Sequence, residues 1–466
     1  MCLVMGKMND KNELELEKLR EEIRLVTEEI IKLVQKRMSV ASQIGTIKNN
    51  LMMKIEDITV EQDIARHVYD LGTQVGLNNE FIGRLLNLLF LESIKIQKSK
   101  MSIKASKLDH MAIFLKAKQL ESEGKKIIHL EVGEPDYMPP DNVKKELLKT
   151  FDKRRVHYTQ TNGIPVLRKL IAGDRSVNEE NVIITPGARF AVFSAMVSTM
   201  SMGDELIISE PAWPAYRDCA NFIGVKVKAI KTTLAQNWDL DLNQLEQMIT
   251  PNTKMIVLNS PNNPTGKVID RQQIDKILNM AENNDITVLS DEVYSMYSYV
   301  PYMSILDFEY DKSIMISSFS KSHAMTGFRV GYAISSKDII DKISKIQAIA
   351  ITSVAEPMQY AAVAAMNTQV TKNKILMKRR LDFIRKELED MCCDFMNPDG
   401  GMYYFVKFSK DVDVNNTIFG LLNEGVAVAP GTGFGEAYFD FIRISACQPI
   451  KLLREGLKIL RKVTDL

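Results

Sequence analysis

Apolar residues in the first hundred positions recur at steps of three and four, which is the pattern of helices that bury one face. The longest series predicts one long helix that begins near Glu13 and packs against other helices through an apolar seam. Its members are Leu16, Leu19, Ile23, Val26, Ile30, Leu33, Val40, Ile44 and Ile47. A later helix is predicted to begin at Asn78 or Asn79, because asparagine is a favoured N-cap, and to run to about Gln97.

From about Ile127 onward the pattern changes, because short apolar strands alternate with helix-like segments and glycine-rich turns. This alternation is typical of an α/β domain. Between the two patterns, residues 98–104 form a polar, basic stretch without proline or glycine, which predicts a brief connector. We place the domain boundary near residue 100, which gives an all-α domain of residues 1–100 and an α/β domain of residues 101–466.

The composition of the 466 residues, 45% hydrophobic and 26% charged, indicates a soluble globular protein of two or three domains. The formal net charge of +1 provides no basic field for nucleic acid or an anionic membrane surface. The apolar stretches fall short of the roughly 20 residues that span a bilayer, and the first residues do not read as an export signal. The five cysteines and five histidines lack ligand spacing, so we expect reduced thiols, no metal and a cytoplasmic location.

Three cations of the first domain suggest an anion site. Arg37 lies on the apolar seam, where its charge is unfavourable unless an anion pairs with it. Lys48 follows three turns later, at roughly 16 Å, so both could reach one small ligand. Arg20 lies about 42 Å from Lys48 along the axis and would have to come from an antiparallel partner helix, which predicts an intertwined dimer. Ser93 and Gln97 share one face of the later helix. The alternative is that the cations are solvated flank residues.

The spacing of these residues resembles the all-helical chorismate mutase domain over nearly all of residues 13–97. The matching segments are Leu19-Arg20, Lys36-Arg37-Met38, Ile44-Gly45 to Lys48, Asp57 to Glu61, and Glu92-Ser93 to Gln97. The resemblance implies that Arg20 of one chain and Arg37 of the other bind the two carboxylates of chorismate. It also implies that Lys48 and Gln97 hydrogen-bond the ether oxygen and that Glu61 binds the ring hydroxyl. Asp57 and Ser93 complete the predicted chorismate site.

The rearrangement of chorismate to prephenate suits such a site, because it requires no nucleophile or proton shuttle. It requires the dianion in its compact conformer and donors where negative charge grows on the breaking ether bond. Val60 stands where many members of the family have a further arginine, so the site would lack one cation. We expect mutase activity, with a weakened or regulatory domain as the alternative.

In the second domain, polar or glycine-containing motifs follow several of the predicted strands. A glycine turn between a strand and a helix offers backbone N–H groups and a helix dipole to a phosphate. A carboxylate and a phenol at a strand end lie where parallel sheets bind ligands. The motifs are Gly133-Glu134-Pro135-Asp136, Thr185-Pro186-Gly187-Ala188, Asn259-Ser260-Pro261-Asn262-Asn263-Pro264, Asp291-Glu292-Val293-Tyr294, Ser318-Phe319-Ser320-Lys321 and Gly327-Phe328-Arg329.

Together these motifs resemble the class I aminotransferases of fold type I, from about residue 103 to the C-terminus. The resemblance implies a large domain of about residues 145–340 with a mostly parallel seven-stranded sheet, and a small α+β domain from the flanking segments. N-terminal to these two domains, we expect three helices in the mutase domain. The resemblance further implies pyridoxal 5'-phosphate as the cofactor, small-molecule substrates and a homodimer.

The resemblance also assigns residues to the cofactor. Lys321 would bind it covalently and, once released by the substrate, move the proton between the amino-acid Cα and the cofactor. Asp291 would keep the pyridine nitrogen protonated, so that the ring can accept electrons. Asn263 and Tyr294 would donate to the ring's phenolic oxygen, and Trp213 would stack on the ring.

The remaining assignments concern the phosphate and the substrate. The phosphate would be bound by the amides of Gly187 and Ala188, by Ser318 and Arg329, and by Tyr158 from the other subunit. Arg443, in a predicted strand, would bind the substrate α-carboxylate. Gly133 would lie against the substrate backbone.

The leading hypothesis is a bifunctional enzyme of aromatic amino-acid biosynthesis. The fused steps would be consecutive if the amino acceptor were prephenate, and one step apart if it were phenylpyruvate or its hydroxylated relative. A dicarboxylic acceptor needs a second cation, which the sequence does not assign. The alternatives are an aspartate aminotransferase with a regulatory or dimerising mutase-like domain, and another fold-type I enzyme such as a lyase or synthase.

Overall fold

A computed structural model of the chain forms two compact units, Met1–Ser106 and Lys107–Leu466. The structure describes the backbone of residues 2–50, 58–100, 110–391, 393–408 and 413–464. Within these ranges, the side chains of residues 2–13, 49, 50, 58, 59, 61, 62, 98–100, 110 and 111 are outside the description.

The described part of the first unit consists of helices α1 (Cys2–Asn50), α2 (Ile58–Gln74) and α3 (Asn79–Lys100). The predicted start of α3 is confirmed, because the Asn78 Oδ1 atom accepts a 2.7 Å hydrogen bond from the N–H of Glu80. The predicted connector from residue 98 is wrong in its first residues. The helix continues to Lys100, since no proline or glycine interrupts it there.

Helices α1 and α2 both pack on α3. The buried apolar residues of the described part of this unit are Ala41, Ile82 and Leu86. At Gly45 the backbones of α1 and α3 are in close contact, because a Cβ atom there would lie 2.7 Å from the Cα of Gln97. The apolar seam from Leu16 to Leu33, in contrast, is exposed in the single chain.

The second unit alternates helices and strands. The helices are α4 (His110–Ser122), α5 (Asp141–Asp152), α6 (Pro165–Arg175), α7 (Ala188–Thr199), α8 (Ala215–Phe222), α9 (Leu242–Met248), α10 (Arg271–Asn283), α11 (Phe319–Ser322), α12 (Lys337–Ile351), α13 (Glu356–Met366), α14 (Thr371–Glu389), α15 (Val414–Asn423) and α16 (Ile450–Thr464). The strands are β1 (Ile128–His129), β2 (Val182–Thr185), β3 (Glu205–Glu210), β4 (Lys226–Lys231), β5 (Thr253–Asn259), β6 (Thr287–Asp291), β7 (Ser313–Ser318), β8 (Gly331–Ser335), β9 (Asp394–Phe395), β10 (Tyr403–Lys407), β11 (Val426–Ala427), β12 (Ala429–Pro430) and β13 (Phe441–Ser445).

Seven strands form a mostly parallel sheet in the order β2-β8-β7-β6-β5-β3-β4. Only β8 runs antiparallel to its neighbours in this sheet, and β5 and β6 end side by side, with Asn259 opposite Asp291. Helices cover both faces, with separate hydrophobic cores on either side. The predicted fold class is confirmed. Apart from the edge strand β4, its strands are buried on both faces, which explains their nearly continuous apolar runs.

A second, antiparallel sheet has the order β12-β13-β10-β9, and β1 pairs with β11 in parallel. The strand predicted over residues 127–132 is wrong in length, since only Ile128 and His129 form β1. Further along, the carbonyl of Leu130 accepts from the N–H of Ser445 at 2.8 Å, and that of Glu131 accepts from the side chain of Arg443. These bonds replace a regular ladder.

The described residues contain neither a membrane-spanning helix nor a metal-binding cluster. No helix there is long and apolar enough to cross a bilayer. No group of three His, Cys, Asp or Glu side chains there has an arrangement suited to a metal ion. The thiols of Cys219 and Cys447 form no disulfide bond.

Candidate active sites

Lys321 lies in the short helix α11, directly after the buried strand β7. Its Nζ atom donates a 2.5 Å hydrogen bond to the carbonyl oxygen of Gly133. Burial lowers the pKa of the Lys321 amine, because the ammonium form loses its hydration. A partly neutral amine is the form that attacks a carbonyl carbon and accepts a proton.

Asp291 is the last residue of β6 and has an exposed fraction of 4%. Its carboxylate accepts from two neutral donors, the hydroxyl of Tyr216 at 2.7 Å and the N–H of Val293 at 3.3 Å. Burial raises the pKa of Asp291, while these two bonds and the charge of Lys321 lower it. The effect of Lys321 places the two groups in one electrostatic environment. A buried carboxylate with neutral partners fits a cationic ring nitrogen.

Arg443 lies on β13 and is buried. Its guanidinium donates to the Oδ1 atom of Asn263 at 2.8 Å and to the carbonyl of Glu131, both neutral acceptors. The rings of Tyr403 and Phe434 flank it, with centroids at 4.3 and 4.9 Å from its Cζ atom. Its Nε atom is buried without a hydrogen-bond partner. A buried guanidinium held by neutral groups is costly, and a substrate carboxylate would offset that cost.

Asn263 and Tyr294 lie beside this arginine. The backbone N–H of Asn263 donates to the Oδ1 atom of Asn259 at 2.8 Å, which fixes the turn after β5. The hydroxyl of Tyr294 lies 2.8 Å from that of Tyr403. Burial raises the pKa of Tyr294 well above its usual value, so the phenol stays neutral and is available as a donor.

Helix α7 begins at the turn Gly187-Ala188 beside Arg329, and Ser318 ends β7, two strands from β2 in the same sheet. Gly187 is the N-cap with a φ of 86°, and a Cβ atom there would lie 2.5 Å from the guanidinium of Arg329. Arg329 is held by the carbonyls of Thr326 at 2.9 Å and of residue 186 at 3.4 Å. The Ser318 hydroxyl caps α11 through the N–H of residue 320. A helix N-terminus beside an arginine fits a phosphate.

The predicted aromatic residues differ in their surroundings. Trp213 packs edge-on against Tyr216, with ring centroids 5.4 Å apart, and Tyr216 in turn contacts Asp291. The guanidinium of Arg189 lies 4.7 Å from the centroid of the Trp213 ring. Tyr158 is 89% exposed, and no described hydrogen bond joins it to the other site residues of its own chain. Its role toward a second subunit stays a prediction.

Together these residues fit pyridoxal phosphate. The fit rests on the buried carboxylate of Asp291, the amine of Lys321 and the cradle in which Gly187 leaves no room for a side chain. Sequence reasoning did not find Tyr216, Tyr403 or Arg189. Tyr216 and Tyr403 contact the site from elements distant in sequence, whereas Arg189 directly follows the glycine turn at residues 185–188 and contacts Trp213.

In the first unit, Arg37 donates a 2.7 Å hydrogen bond to the carbonyl of Leu89 and another to the hydroxyl of Ser93. Burial lowers the pKa of Arg37. Ser93 and Gln97 are buried on α3, and the Oε1 atom of Gln97 has no hydrogen-bond partner. Lys48 is half-buried. The structure therefore gathers polar side chains where α1 meets α3.

Of the other predicted chorismate residues, Arg20 lies outside this cluster in the single chain. Arg20 is exposed and lies about 25 Å from Arg37 along α1, by the rise of an α-helix. Asp57 lies outside the described residues, and so does the side chain of Glu61. Val60 is exposed.

Known proteins resemble both parts of the chain. A family model described as "Aminotransferase class I and II" matches residues 125–460, and one described as "Chorismate mutase type II" matches residues 19–98. The aspartate aminotransferase of Thermotoga maritima is 35% identical over 356 residues, 74% of this chain and 94% of the relative. A "probable aspartate/prephenate aminotransferase" of Aquifex aeolicus is 29% identical over 390 residues, 78% and 98% of the two chains. A crystal structure of Thermotoga maritima aspartate aminotransferase superposes with a TM-score of 0.73 at 33% identity, covering 78% of this chain and 98% of that one.

Proposed function

Because this chain belongs to the class I and II aminotransferases and carries a type II chorismate mutase domain ahead of them, we propose that it is a bifunctional enzyme of aromatic amino-acid biosynthesis. Its second unit is a pyridoxal-phosphate-dependent aminotransferase. The proposed activities are the conversion of chorismate into prephenate and the transfer of an amino group between an amino acid and a 2-oxo acid.

The observation that carries the mutase activity is the polar cluster on α1 and α3. Arg37 is held in place by Leu89 and Ser93, and Gln97 retains a buried amide oxygen without a partner. An apolar helical unit that served only for packing would gain nothing from a half-buried guanidinium. A small dianionic substrate would explain the position of Arg37, because the guanidinium can bind one carboxylate of the dianion.

Three site residues of the second unit have proposed roles in amino transfer. Pyridoxal phosphate, when bound, supplies a ring that accepts electrons from the substrate. Lys321 takes and returns the proton at the substrate Cα, for which its lowered pKa suits it. Asp291 holds the positive charge of the ring nitrogen. Arg443 binds the α-carboxylate and so orients the Cα toward the amine.

We propose a dicarboxylic partner, with prephenate as acceptor and aspartate or glutamate as donor. Such substrates need a second cation besides Arg443, and the exposed guanidinium of Arg189 over Trp213 is suitably close to the site. The printed name of the Aquifex aeolicus relative includes both aspartate and prephenate, which supports this choice. Prephenate would also make the two fused steps consecutive.

We further propose that the protein is a homodimer through α1. The apolar seam from Leu16 to Leu33 is exposed in the single chain, which is unfavourable for that many large side chains. A second copy running antiparallel would cover it and would bring its Arg20 to the Arg37 cluster. Tyr158, on the surface of the other unit, would likewise reach the phosphate site of a partner.

The second candidate is an aspartate aminotransferase whose first unit only regulates or dimerises. Val60 favours it, because the resemblance places an arginine at that position in many mutases. The experiment that separates the two uses the purified full-length protein. Loss of chorismate is measured first, followed by 2-oxo acid formation from aspartate, glutamate, tyrosine and arogenate. Chorismate turnover together with activity on arogenate supports the proposal. Inactivity on chorismate, arogenate and aromatic donors contradicts it.

A further inference from the structure

Tyr403 lies where the main groups of the aminotransferase site meet, although it belongs to none of the sequence motifs. It is the first residue of β10, in the small antiparallel sheet, and its exposed fraction is 1%. Its hydroxyl lies 2.8 Å from that of Tyr294, and the two rings pack edge-to-face. Its ring also supports the guanidinium of Arg443 at 4.3 Å.

A third contact of Tyr403 involves Gly133. A Cβ atom on Gly133 would lie 1.7 Å from the Tyr403 hydroxyl oxygen and 2.6 Å from its Cζ atom, so the phenol occupies the space beside the glycine. The carbonyl of Gly133 accepts from the amine of Lys321. Tyr403 therefore contacts Gly133, whose carbonyl binds the Lys321 amine, and it also contacts Tyr294 and Arg443.

The number of hydroxyl protons decides whether Tyr294 or Tyr403 donates the hydrogen bond between them. Each phenol has one proton to donate. When Tyr294 directs its proton toward the phenolic oxygen of pyridoxal phosphate, its contact with Tyr403 can be a hydrogen bond only if Tyr403 donates. The buried surroundings offer Tyr403 this acceptor, and its own ring is fixed by packing against Gly133.

We propose that Tyr403 is a positioning residue for transamination, whose hydroxyl directs the Tyr294 proton toward the cofactor while its ring supports Arg443. This inference rests on the proposed function of the second unit. A phenol that accepts a hydrogen bond becomes a better donor, because linked hydrogen bonds polarise one another. Tyr403 thereby helps Tyr294 to stabilise negative charge on the cofactor's phenolic oxygen.

The first test is Tyr403→Phe in the full-length, cofactor-loaded protein. The visible absorption of the bound cofactor is titrated with pH. Without the hydroxyl, the anionic phenolic oxygen loses support, so the midpoint of the titration rises by about 0.3 to 1 pH unit, the shift that one hydrogen bond gives. An unchanged midpoint overturns the proposal.

Tyr404→Phe is the matched control. Tyr404 is the next residue of β10, has an exposed fraction of 2%, and directs its hydroxyl to the Oδ1 atom of Asn397 at 3.2 Å, away from Tyr294. The proposal expects the wild-type midpoint in this variant. A shift equal to that of Tyr403→Phe would mean that removing any buried hydroxyl of β10 has the same effect, and would overturn it.

A double-variant cycle tests whether Tyr403 acts through Tyr294. In a Tyr294→Phe background, Tyr403→Phe should produce no further shift of the midpoint, since the hydroxyl has lost the group it orients. Additive shifts would contradict the mechanism. Failure of the proposed function gives a different result, because a wild-type protein that binds no pyridoxal phosphate shows no cofactor band to titrate.

Steady-state kinetics separates the hydroxyl from the ring. Tyr403→Phe keeps the ring beneath Arg443, so kcat falls while the KM for the amino donor stays within about twofold. Tyr403→Leu removes the ring as well, and the KM rises by about fivefold because the cation–π contact is lost. Equal changes of KM in both variants would overturn the role of the ring.

Discussion

The hydroxyl of Tyr216 donates a 2.7 Å hydrogen bond to the carboxylate of Asp291 inside the protein, out of contact with water. Tyr216 comes from α8 and Asp291 from the end of β6. Burial raises the pKa of Asp291, and the bond opposes this effect because it stabilises the charged form of the carboxylate. Under the proposed role of Asp291, the phenol would support the protonated ring nitrogen of the cofactor through this carboxylate.

Tyr216→Phe should narrow the pH range of transamination from the acid side. Burial raises the pKa of Asp291 and the Tyr216 bond lowers it, so its loss raises that pKa further. Activity then falls at a higher pH as the solution is acidified, by up to about one pH unit. The measurement is kcat against pH. Tyr310→Phe is the control, because its hydroxyl bonds the carbonyl of Ile286, and an equal shift there would contradict the prediction.

Arg37→Ala should reduce chorismate turnover by at least about a hundredfold, since its guanidinium is expected to hold a substrate carboxylate. Transamination should remain within twofold of the wild-type rate. The neighbouring Lys36→Ala is the control, because Lys36 is exposed. If the wild-type protein and Arg37→Ala are equally inactive on chorismate, the first unit is a regulatory or dimerising domain instead.

Mixing two inactive variants tests the intertwined dimer. Each mutase site is proposed to use Arg20 of one chain and Arg37 of the other. Dimers refolded from equal amounts of Arg20→Ala and Arg37→Ala chains should recover about a quarter of the wild-type chorismate turnover, because half the dimers are mixed and each has one intact site. No recovery, with dimers present, would mean that both arginines act within one chain.

Arg189→Leu should change substrate preference more than catalysis. Loss of a charge-assisted hydrogen bond should lower kcat/KM for aspartate and prephenate by about tenfold to a hundredfold. The value for tyrosine, which has no second carboxylate, should change less than threefold, and this substrate is the internal control. A uniform decrease for all substrates would indicate that Arg189 only supports Trp213.

Gly133→Ala should abolish transamination. A methyl group there overlaps the hydroxyl of Tyr403 and must displace Tyr403 or the carbonyl that binds Lys321. We expect a decrease of kcat/KM of at least about a hundredfold, by analogy with other small misplacements of catalytic groups. Gly173→Ala is the control, since no atom lies within 4 Å of the added Cβ. Near-normal activity of Gly133→Ala would contradict the described contact.

The sequence anticipated much of the fold and the residues at strand ends. Asp291 and Lys321 could be predicted to approach each other because they follow neighbouring strands of one sheet. Tyr216 and Tyr403 could not, since their contacts cross 75 and 109 residues of chain and depend on side-chain packing. The shortened β1 was missed for a related reason, because an arginine more than 300 residues away takes the carbonyl that would continue it.

In the second unit, the residues proposed to hold the cofactor and the residue proposed to bind the substrate lie on different sheets. Asp291 and Lys321 follow strands of the large sheet, whereas Arg443 lies within the small one. Amino transfer proceeds in two halves, and between them the first oxo acid must depart while the captured nitrogen stays behind. Because the arginine proposed to bind the substrate carboxylate lies on a different sheet from the residues proposed to hold the cofactor, the oxo acid can dissociate while the cofactor remains bound.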